Sequence, residues 1–200
     1  LPKLRGPSPV ATAFLNGNVV TGVTIIRLDD RMDHGPILAQ RETSISEDET
    51  AVSLTARLFR IGANLLLETL PRWDRGDLGL MVQDESLATM TRQLKKEDGK
   101  IDWDQPAEYI ARQVRAYSPW PRTFTVWRGL RLVIIEAKTT LEPVESDLTG
   151  LVVRLPNGVG VTTGHSVLKL QTVQLEGRKL VAVAEFCRGQ RDFVGSILGP

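Results

Sequence analysis

The side chains with the clearest chemical potential lie in one short acidic segment, residues 29–36, with the sequence DDRMDHGP. Carboxylates and an imidazole are the groups that move protons in general acid–base catalysis. An aspartate such as Asp33, placed just before Gly35-Pro36, is also typical of a turn in which the carboxylate accepts hydrogen bonds from nearby backbone amides. The residues alone favour the turn interpretation for Asp33 and for the neighbouring His34.

Other reaction classes lack their usual motifs. The chain contains no phosphate-binding G-x-x-x-x-G-K-[ST] run and no G-x-S-x-G nucleophile turn, and residues 158–164 (GVGVTTG) do not have the spacing of a dinucleotide-binding loop. Its two histidines, His34 and His165, are too far apart in sequence to form a metal-ligand pair. The single cysteine, Cys187, excludes an intramolecular disulfide and a cysteine-based zinc site. We therefore expect no metal.

Charge and hydropathy limit the partners. The formal net charge is +1, and no apolar run is long enough to span a membrane, so we expect no membrane partner. Nucleic acid would have to be bound through a local basic cluster, because the global field is weak. One such cluster contains Arg112, Arg115, Arg122, Arg128 and Arg131. These arginines either attract phosphates or form a solvated face, and the sequence leaves both interpretations open.

Two predicted strands position the acidic segment. Residues 22–28 are β-branched and apolar, and residues 37–42 resume an extended pattern, so the turn should connect the two strands. A short helix should precede them, with Ser8 as its N-cap and Gly17 as its end.

A long amphipathic helix should follow the strands. Ser46-x-x-Glu49 has the form of a capping box, and leucines at helical spacing continue until Pro71, which we expect to end the helix. The polar and charged stretch 83–97 is then predicted to be a linker between two domains, residues 1–82 and 98–200.

The second half predicts a small β domain. A helix starts after Pro106 and runs through Val114, and five or six short strands separated by tight turns follow from residue 124. This pattern favours a small barrel of the OB type. The tryptophans at 103, 120 and 127 could stack on nucleotide bases, but we interpret them as packing residues.

Three stretches of the chain resemble methionyl-tRNA formyltransferases in order and spacing. They are LPKLRGPSPV at 1–10 with TGVTIIRLDDRMDHGPIL at 21–38, KIDW at 100–103, and RAYSPWPRTF at 115–124. The first block is shared with other folate-dependent formyltransferases and hydrolases, whereas the R-A-x-x-P-W-P run is the more discriminating motif. The resemblance covers essentially the whole chain and corresponds to the C-terminal two-thirds of a family member.

The resemblance implies a fold and an activity. The fold would be α/β: part of a Rossmann-like formyltransferase catalytic domain, followed by a small all-β, OB-like barrel domain. The activity would be transfer of a formyl group from 10-formyltetrahydrofolate, a co-substrate, to the amino group of methionyl initiator tRNA. Such an enzyme would act as a monomer in the cytoplasm.

The resemblance also assigns site residues. Asp33 matches the aspartate of the family's Asn-His-Asp constellation, where it would orient the histidine or relay a proton through water. Leu1 and Pro2 would contact folate, and the tRNA would be bound by Arg5, Arg115, Arg122 and Arg128. The family's Asn-x-His lies just upstream of an S-L-L-P segment, of which only Leu1-Pro2 is present here. We therefore expect the chain by itself to be an inactive part of a longer enzyme.

Two alternatives remain open from the sequence. The same first block would fit a formyltransferase or hydrolase that uses a sugar nucleotide or water as the acceptor. The C-terminal barrel could instead act as a non-catalytic RNA-binding module.

Overall fold

A computed structural model describes residues 1–140, 142, 146 and 148–199 of the chain. The backbone divides into two compact units, residues 1–94 and residues 95–200. The stretch 83–97, predicted to be a linker, mostly belongs to the first unit. Each unit is described by itself.

The first unit is a helix-covered hairpin. Its elements are α1 (Pro9–Leu15), β1 (Val20–Ile26), β2 (Ile37–Ser44) and α2 (Ala51–Asp74). Strands β1 and β2 are antiparallel, with a register shift between Ile25 and Ile26 next to the acidic turn. Helix α2 packs on both strands and buries Leu54, Leu58 and Leu65, which explains the helical spacing of the leucines. The hairpin and α2 together hold the turn at one end of the unit.

Both predicted boundaries of α2 were wrong. Its N-cap is Thr50, which forms a capping box with Ser53. The Glu49 carboxylate still accepts a hydrogen bond from the Ser46 amide (2.9 Å) and another from Arg57 (2.7 Å), but Ser46 and Glu49 both precede the helix. Pro71 lies inside the last turn, where its missing N–H removes a single helical bond.

The end of α2 is instead a Schellman motif. Gly76 has φ +75° and donates to the Trp73 carbonyl, and Asp77 donates to the Arg72 carbonyl over 2.8 Å. A left-handed glycine therefore ends the helix, several residues after the proline.

The second unit contains a mainly antiparallel sheet flanked by two helices. Its elements are α3 (Ala107–Ala116), β3 (Thr123–Trp127), β4 (Leu130–Thr140), β5 (Val152–Leu155), β6 (Gly158–Thr162), β7 (Val167–Leu175), β8 (Val181–Ala182) and α4 (Val183–Gly189). The strand order is β3-β4-β7-β6-β5, and β8 pairs with β7. The helix predicted after Pro106 and the short strands predicted from residue 124 are both present.

A closed barrel is not confirmed. Within the described residues, the end strands β3 and β5 do not pair with each other, and the sheet is open. The segment 195–199 lies between them and bonds to both. Val126 and Gly199 exchange backbone hydrogen bonds of 3.1 and 3.2 Å, and the Val152 amide donates to Ser196 over 2.9 Å.

Aromatic side chains form the centre of the second unit's core. Trp127, Phe186 and Phe193 meet edge to face, with ring centroids 4.9 to 5.6 Å apart, and Phe193 is fully buried. Trp103 is also buried and donates from Nε1 to Thr125 over 3.1 Å. The packing interpretation is thus confirmed for Trp103 and Trp127. It was wrong for Trp120, which is 54% exposed.

Candidate functional site

The Asp33 carboxylate is anchored by a backbone amide from another loop. Asp33 has a left-handed φ of +52°, a conformation that aspartate tolerates better than most residues. Its Oδ2 accepts a hydrogen bond of 2.7 Å from the amide of Gly6. The half-buried side chain is therefore fixed through one oxygen, while Oδ1 accepts no hydrogen bond from the described residues.

Glycine at position 35 is required by a close backbone approach. A Cβ added to Gly35 would lie 1.8 Å from the carbonyl oxygen of Arg27. The amide of Arg27 also donates to the Pro36 carbonyl over 3.0 Å, which closes the loop at its base. The D-x-G-P pattern therefore encodes a tightly crossed turn that presents Asp33.

A segment we call the strap, residues 81–91, runs beside this turn and the Arg5-Gly6 loop. At its start, Met81 exchanges backbone hydrogen bonds of 2.8 and 3.0 Å with Ile37. At its end, the Thr91 amide donates to the Arg5 carbonyl over 2.7 Å, and the Arg5 amide donates to Thr89 over 2.9 Å. The strap thus holds the two loops that carry Gly6 and Asp33.

Gln83, in the strap, joins those two loops through one buried carboxamide. Its Nε2 donates to the carbonyls of Asp33 (2.9 Å) and Gly35 (2.7 Å), and its Oε1 accepts from Arg5 Nε (3.2 Å) and Nη2 (2.9 Å). The side chain is 5% exposed, so these bonds form away from water. Every donor and acceptor of the carboxamide is used.

Arg5 is a buried structural cation, and the prediction that it contacts tRNA is not supported. Its guanidinium donates to both carboxylate oxygens of Glu85, over 3.1 and 2.7 Å, in addition to Gln83. Its side chain is only 6% exposed. These bonds lower the pKa of Glu85 and raise the pKa of Arg5. A guanidinium held in this way has little capacity left for a phosphate.

His34 belongs to a polar cluster at the outer edge of the turn. Its Nδ1 lies 2.5 Å from Asp29 Oδ2, and its Nε2 contacts Arg31 and lies 3.3 Å from Glu85 Oε1. A proton on Nδ1 leaves Nε2 as the acceptor for Arg31, and only the doubly protonated ring would also donate to Glu85. The hydrogen bond from His34 lowers the pKa of Asp29. The turn position predicted for His34 is therefore accompanied by specific polar contacts that the sequence did not indicate.

Leu1 and Pro2, the predicted folate contacts, are half-buried beside the same site. The Leu1 carbonyl accepts from Gln40 Nε2 over 2.6 Å.

The remaining predicted contacts, Arg115, Arg122 and Arg128, lie in the second unit. Arg122 is exposed and donates to Gln174 over 3.0 Å, and Arg115 is half-buried. Arg128 is exposed, pairs with Asp192, and places its guanidinium 4.9 Å from the Trp127 ring centroid.

The sequence interpretation missed Gln83 and Glu85, because both were placed in a linker. A glutamine between Val82 and Asp84 carries no periodic or motif signal, and its role depends on contacts some 50 to 80 positions away along the chain.

The described residues offer little for other chemistries. Among them, no group of three or more His, Cys, Asp or Glu side chains could hold a metal ion. No helix among them is both long and apolar enough to cross a membrane. Burial raises the pKa of the Cys187 thiol, which disfavours the reactive thiolate.

Comparisons with known proteins identify the family. The sequence model described as "Formyl transferase" matches residues 1–70, and the one described as "Formyl transferase, C-terminal domain" matches residues 93–191. Methionyl-tRNA formyltransferase of Roseiflexus sp. (strain RS-1) is 45% identical over 199 residues, which are 100% of this chain and 61% of the relative. The two models together match most of the chain, which therefore belongs to the formyltransferase family. It spans about three-fifths of the length of the curated family members it matches.

Solved structures share the fold of this family member. HypX from Aquifex aeolicus, in complex with tetrahydrofolic acid, matches with a TM-score of 0.70 at 20% identity, over 96% of this chain and 34% of that one. The N-formyltransferase from Helicobacter canadensis, in complex with folinic acid and dTDP-3-aminofucose, matches with a TM-score of 0.68 at 20% identity, over 85% and 62%. At these identities the likeness concerns the fold alone.

Proposed function

We propose that this protein takes part in the transfer of a formyl group from 10-formyltetrahydrofolate to the amino group of methionyl initiator tRNA. The observation that carries the proposal is the Asp33 carboxylate, fixed through Oδ2 by Gly6 with Oδ1 left to act. The 45% identity to a methionyl-tRNA formyltransferase supports this acceptor.

The reaction requires both charge stabilisation and proton transfer. The methionyl amine attacks the formyl carbon, and a tetrahedral intermediate forms with an oxyanion on the former carbonyl oxygen. The bond from that carbon to N10 of the folate then breaks, the amine nitrogen loses a proton, and N10 gains one. A positioned carboxylate can take up the amine proton, directly or through a water molecule.

Asp33 suits the role of moving a proton because two separate contacts fix its position. Its backbone is held by Gln83 and its side chain by Gly6, so the free oxygen keeps a fixed direction. We assign Asp33 to proton relay, or to orienting a histidine in the complete constellation.

For folate, we propose contact with Leu1 and Pro2. Both residues are half-buried, so part of their apolar surface is accessible to a ligand. A mainly apolar surface with a few polar groups is usual for cofactor-sized ligands.

For tRNA, we propose the basic residues of the second unit. Arg122 and Arg128 are exposed near the β3–β4 hairpin, with Arg115 on the preceding helix. The bonds that segment 195–199 makes to both end strands support an OB-like arrangement of this unit, a fold that often binds nucleic acid. Arg5 is left out of this set because it is buried.

The tRNA proposal can be tested through its salt dependence. Arg122→Ala should weaken tRNA binding and reduce the slope of log affinity against log salt by about 1. Arg154→Ala, on β5 and outside the cluster, should leave the slope unchanged. Equal slopes for both variants would contradict the assignment.

The acceptor is tested by direct comparison. The protein expressed from its natural gene would be incubated with 10-formyltetrahydrofolate in three separate reactions. The first contains methionyl initiator tRNA as the acceptor, the second a dTDP-linked amino sugar, and the third water alone. Formyl-methionyl-tRNA as the main product would support the proposal, and cytoplasmic translation initiation would be its setting. Formylated sugar or free formate as the main product would mean that the acceptor is an amino sugar or water and not the tRNA. Binding of tRNA without any formyl product would favour an RNA-binding module.

A further inference from the structure

We propose that Gln83 is a positioning residue for the reaction, acting through Asp33. This inference rests on the proposed function, because it assigns Asp33 a catalytic role. Its physical basis is the way one carboxamide couples the two loops that define the position of the Asp33 carboxylate.

Gln83 first determines the backbone of the turn. Asp33 holds a positive φ, and such a conformation persists only where surrounding contacts determine it. Gln83 Nε2 supplies such contacts, since it donates to the carbonyls on both sides of His34. Without that donor, two carbonyls of the turn would lose their shared partner.

Gln83 also contacts the loop opposite. Gln83 Oε1 accepts from Arg5, and the next residue, Gly6, provides the amide that fixes Asp33 Oδ2. The same carboxamide therefore sets both the backbone of Asp33 and the donor for its side chain. The carboxamide is thus bonded beside both partners of this hydrogen bond: to the backbone carbonyl of Asp33, and to the side chain of Arg5, which precedes Gly6.

Gln83 itself performs no chemistry. The side chain is 5% exposed and its four hydrogen-bonding positions are all occupied by the protein. It has no capacity to touch a substrate. Its influence must therefore pass through the geometry of Asp33, where a displacement of about 1 Å can cost on the order of 100-fold in rate.

The test uses the protein expressed from its natural gene with Gln83→Met, which keeps length and removes all four bonds. A second variant, Gln83→Glu, keeps the acceptor for Arg5 and removes the donor to the turn. Each is checked by circular dichroism for folding. Gln93→Met, an exposed glutamine outside the strap, is the matched control.

We expect Gln83→Met and Gln83→Glu to lower kcat by about 10- to 100-fold, with KM for both substrates within threefold of the parent. Combined with Asp33→Asn, Gln83→Met should cause little further loss, because it acts through the same carboxylate. Gln93→Met should behave like the parent. A kcat within threefold of the parent for both Gln83 variants, or a full additional loss in the Asp33→Asn background, would overturn the inference.

A second readout separates this inference from the proposed function. Hydrogen exchange of the Gly6 amide reports on its bond to Asp33 without any catalysis. We expect that amide to exchange at least tenfold faster in Gln83→Met and unchanged in Gln93→Met. If the parent protein transfers no formyl group, the proposed function fails, and the exchange result alone decides whether Gln83 positions Asp33. Unchanged Gly6 exchange in Gln83→Met would overturn the positioning role.

Discussion

Replacing Gly35 with alanine tests the geometry of the Asp33 turn most severely. The added Cβ would lie 1.8 Å from the Arg27 carbonyl oxygen, whereas real Cβ atoms essentially never come within 3.0 Å of a neighbour. The backbone at Gly35 and the backbone at Arg27 would have to separate by about 1.2 Å, the difference between those two distances. The φ of Gly35 is not positive, so the effect is steric alone.

The magnitude follows from the hydrogen bonds that such a shift would break. Three bonds depend on the turn: Gly6 to the Asp33 carboxylate at 2.7 Å, and Gln83 to the carbonyls of Asp33 and Gly35 at 2.9 and 2.7 Å. At about 1 kcal/mol net for each, Gly35→Ala should destabilise the first unit by roughly 3 kcal/mol. If the turn shifts and survives, formyl transfer should still fall, because Asp33 loses its anchor.

The assay is urea unfolding followed by hydrogen exchange, which resolves peptides of residues 1–94 from those of residues 95–200. Gly79→Ala is the matched control, since a Cβ there meets nothing within 4 Å and φ is again not positive. That variant should be neutral or more stable by up to about 1 kcal/mol, through the unfolded state. Unfolding of Gly35→Ala and Gly79→Ala at the same urea concentration would refute the close approach at Gly35.

Two further predictions concern the core and pH. Phe193→Ala should destabilise the second unit by about 3–5 kcal/mol, because the fully buried ring packs in the aromatic cluster; Phe59→Ala, at a side chain 75% exposed, should cost much less, as measured by urea unfolding. Arg5 lowers the pKa of Glu85, so their pairing should stabilise the first unit at neutral pH, and this stability should be lost as the pH falls below the ordinary glutamate pKa of about 4.3. Glu85→Gln should make the unfolding midpoint less dependent on pH between 5 and 3; a pH profile identical to that of the parent protein would contradict the pairing.

The sequence predicted the local elements well because their signals are local. Alternation and turn residues located the hairpins of the second unit, and the apolar strands located the hairpin around residues 29–36. The errors arose where competing local signals had to be weighed. Two overlapping caps near Thr50 both have suitable residues, Ser46 with Glu49 and Thr50 with Ser53, and the helix begins at the second. Pro71 was wrongly predicted to end the helix, because a proline in the last turn removes only one helical hydrogen bond.

The site was predictable only in part, for a different reason. Resemblance to the family drew attention to Asp33, but Gln83 and the buried state of Arg5 depend on contacts across most of the first unit. An arginine in a loop usually faces solvent, and nothing in the neighbouring residues indicates that Glu85 pairs with it. The hydrogen bonds that segment 195–199 makes to both end strands likewise depend on tertiary packing, which strand patterns do not encode.

The most direct test of the central claim is the rate of formyl-methionyl-tRNA formation with Asp33→Asn, in the protein expressed from its natural gene under single-turnover conditions. Asparagine can still accept the Gly6 hydrogen bond, so this change removes the charge and keeps the turn. Asp30→Asn, an exposed aspartate in the same turn, is the matched control. We expect Asp33→Asn to lower the rate by about 100-fold or more, and Asp30→Asn to stay within twofold of the parent. Equal rates for the two variants would contradict a catalytic role for Asp33.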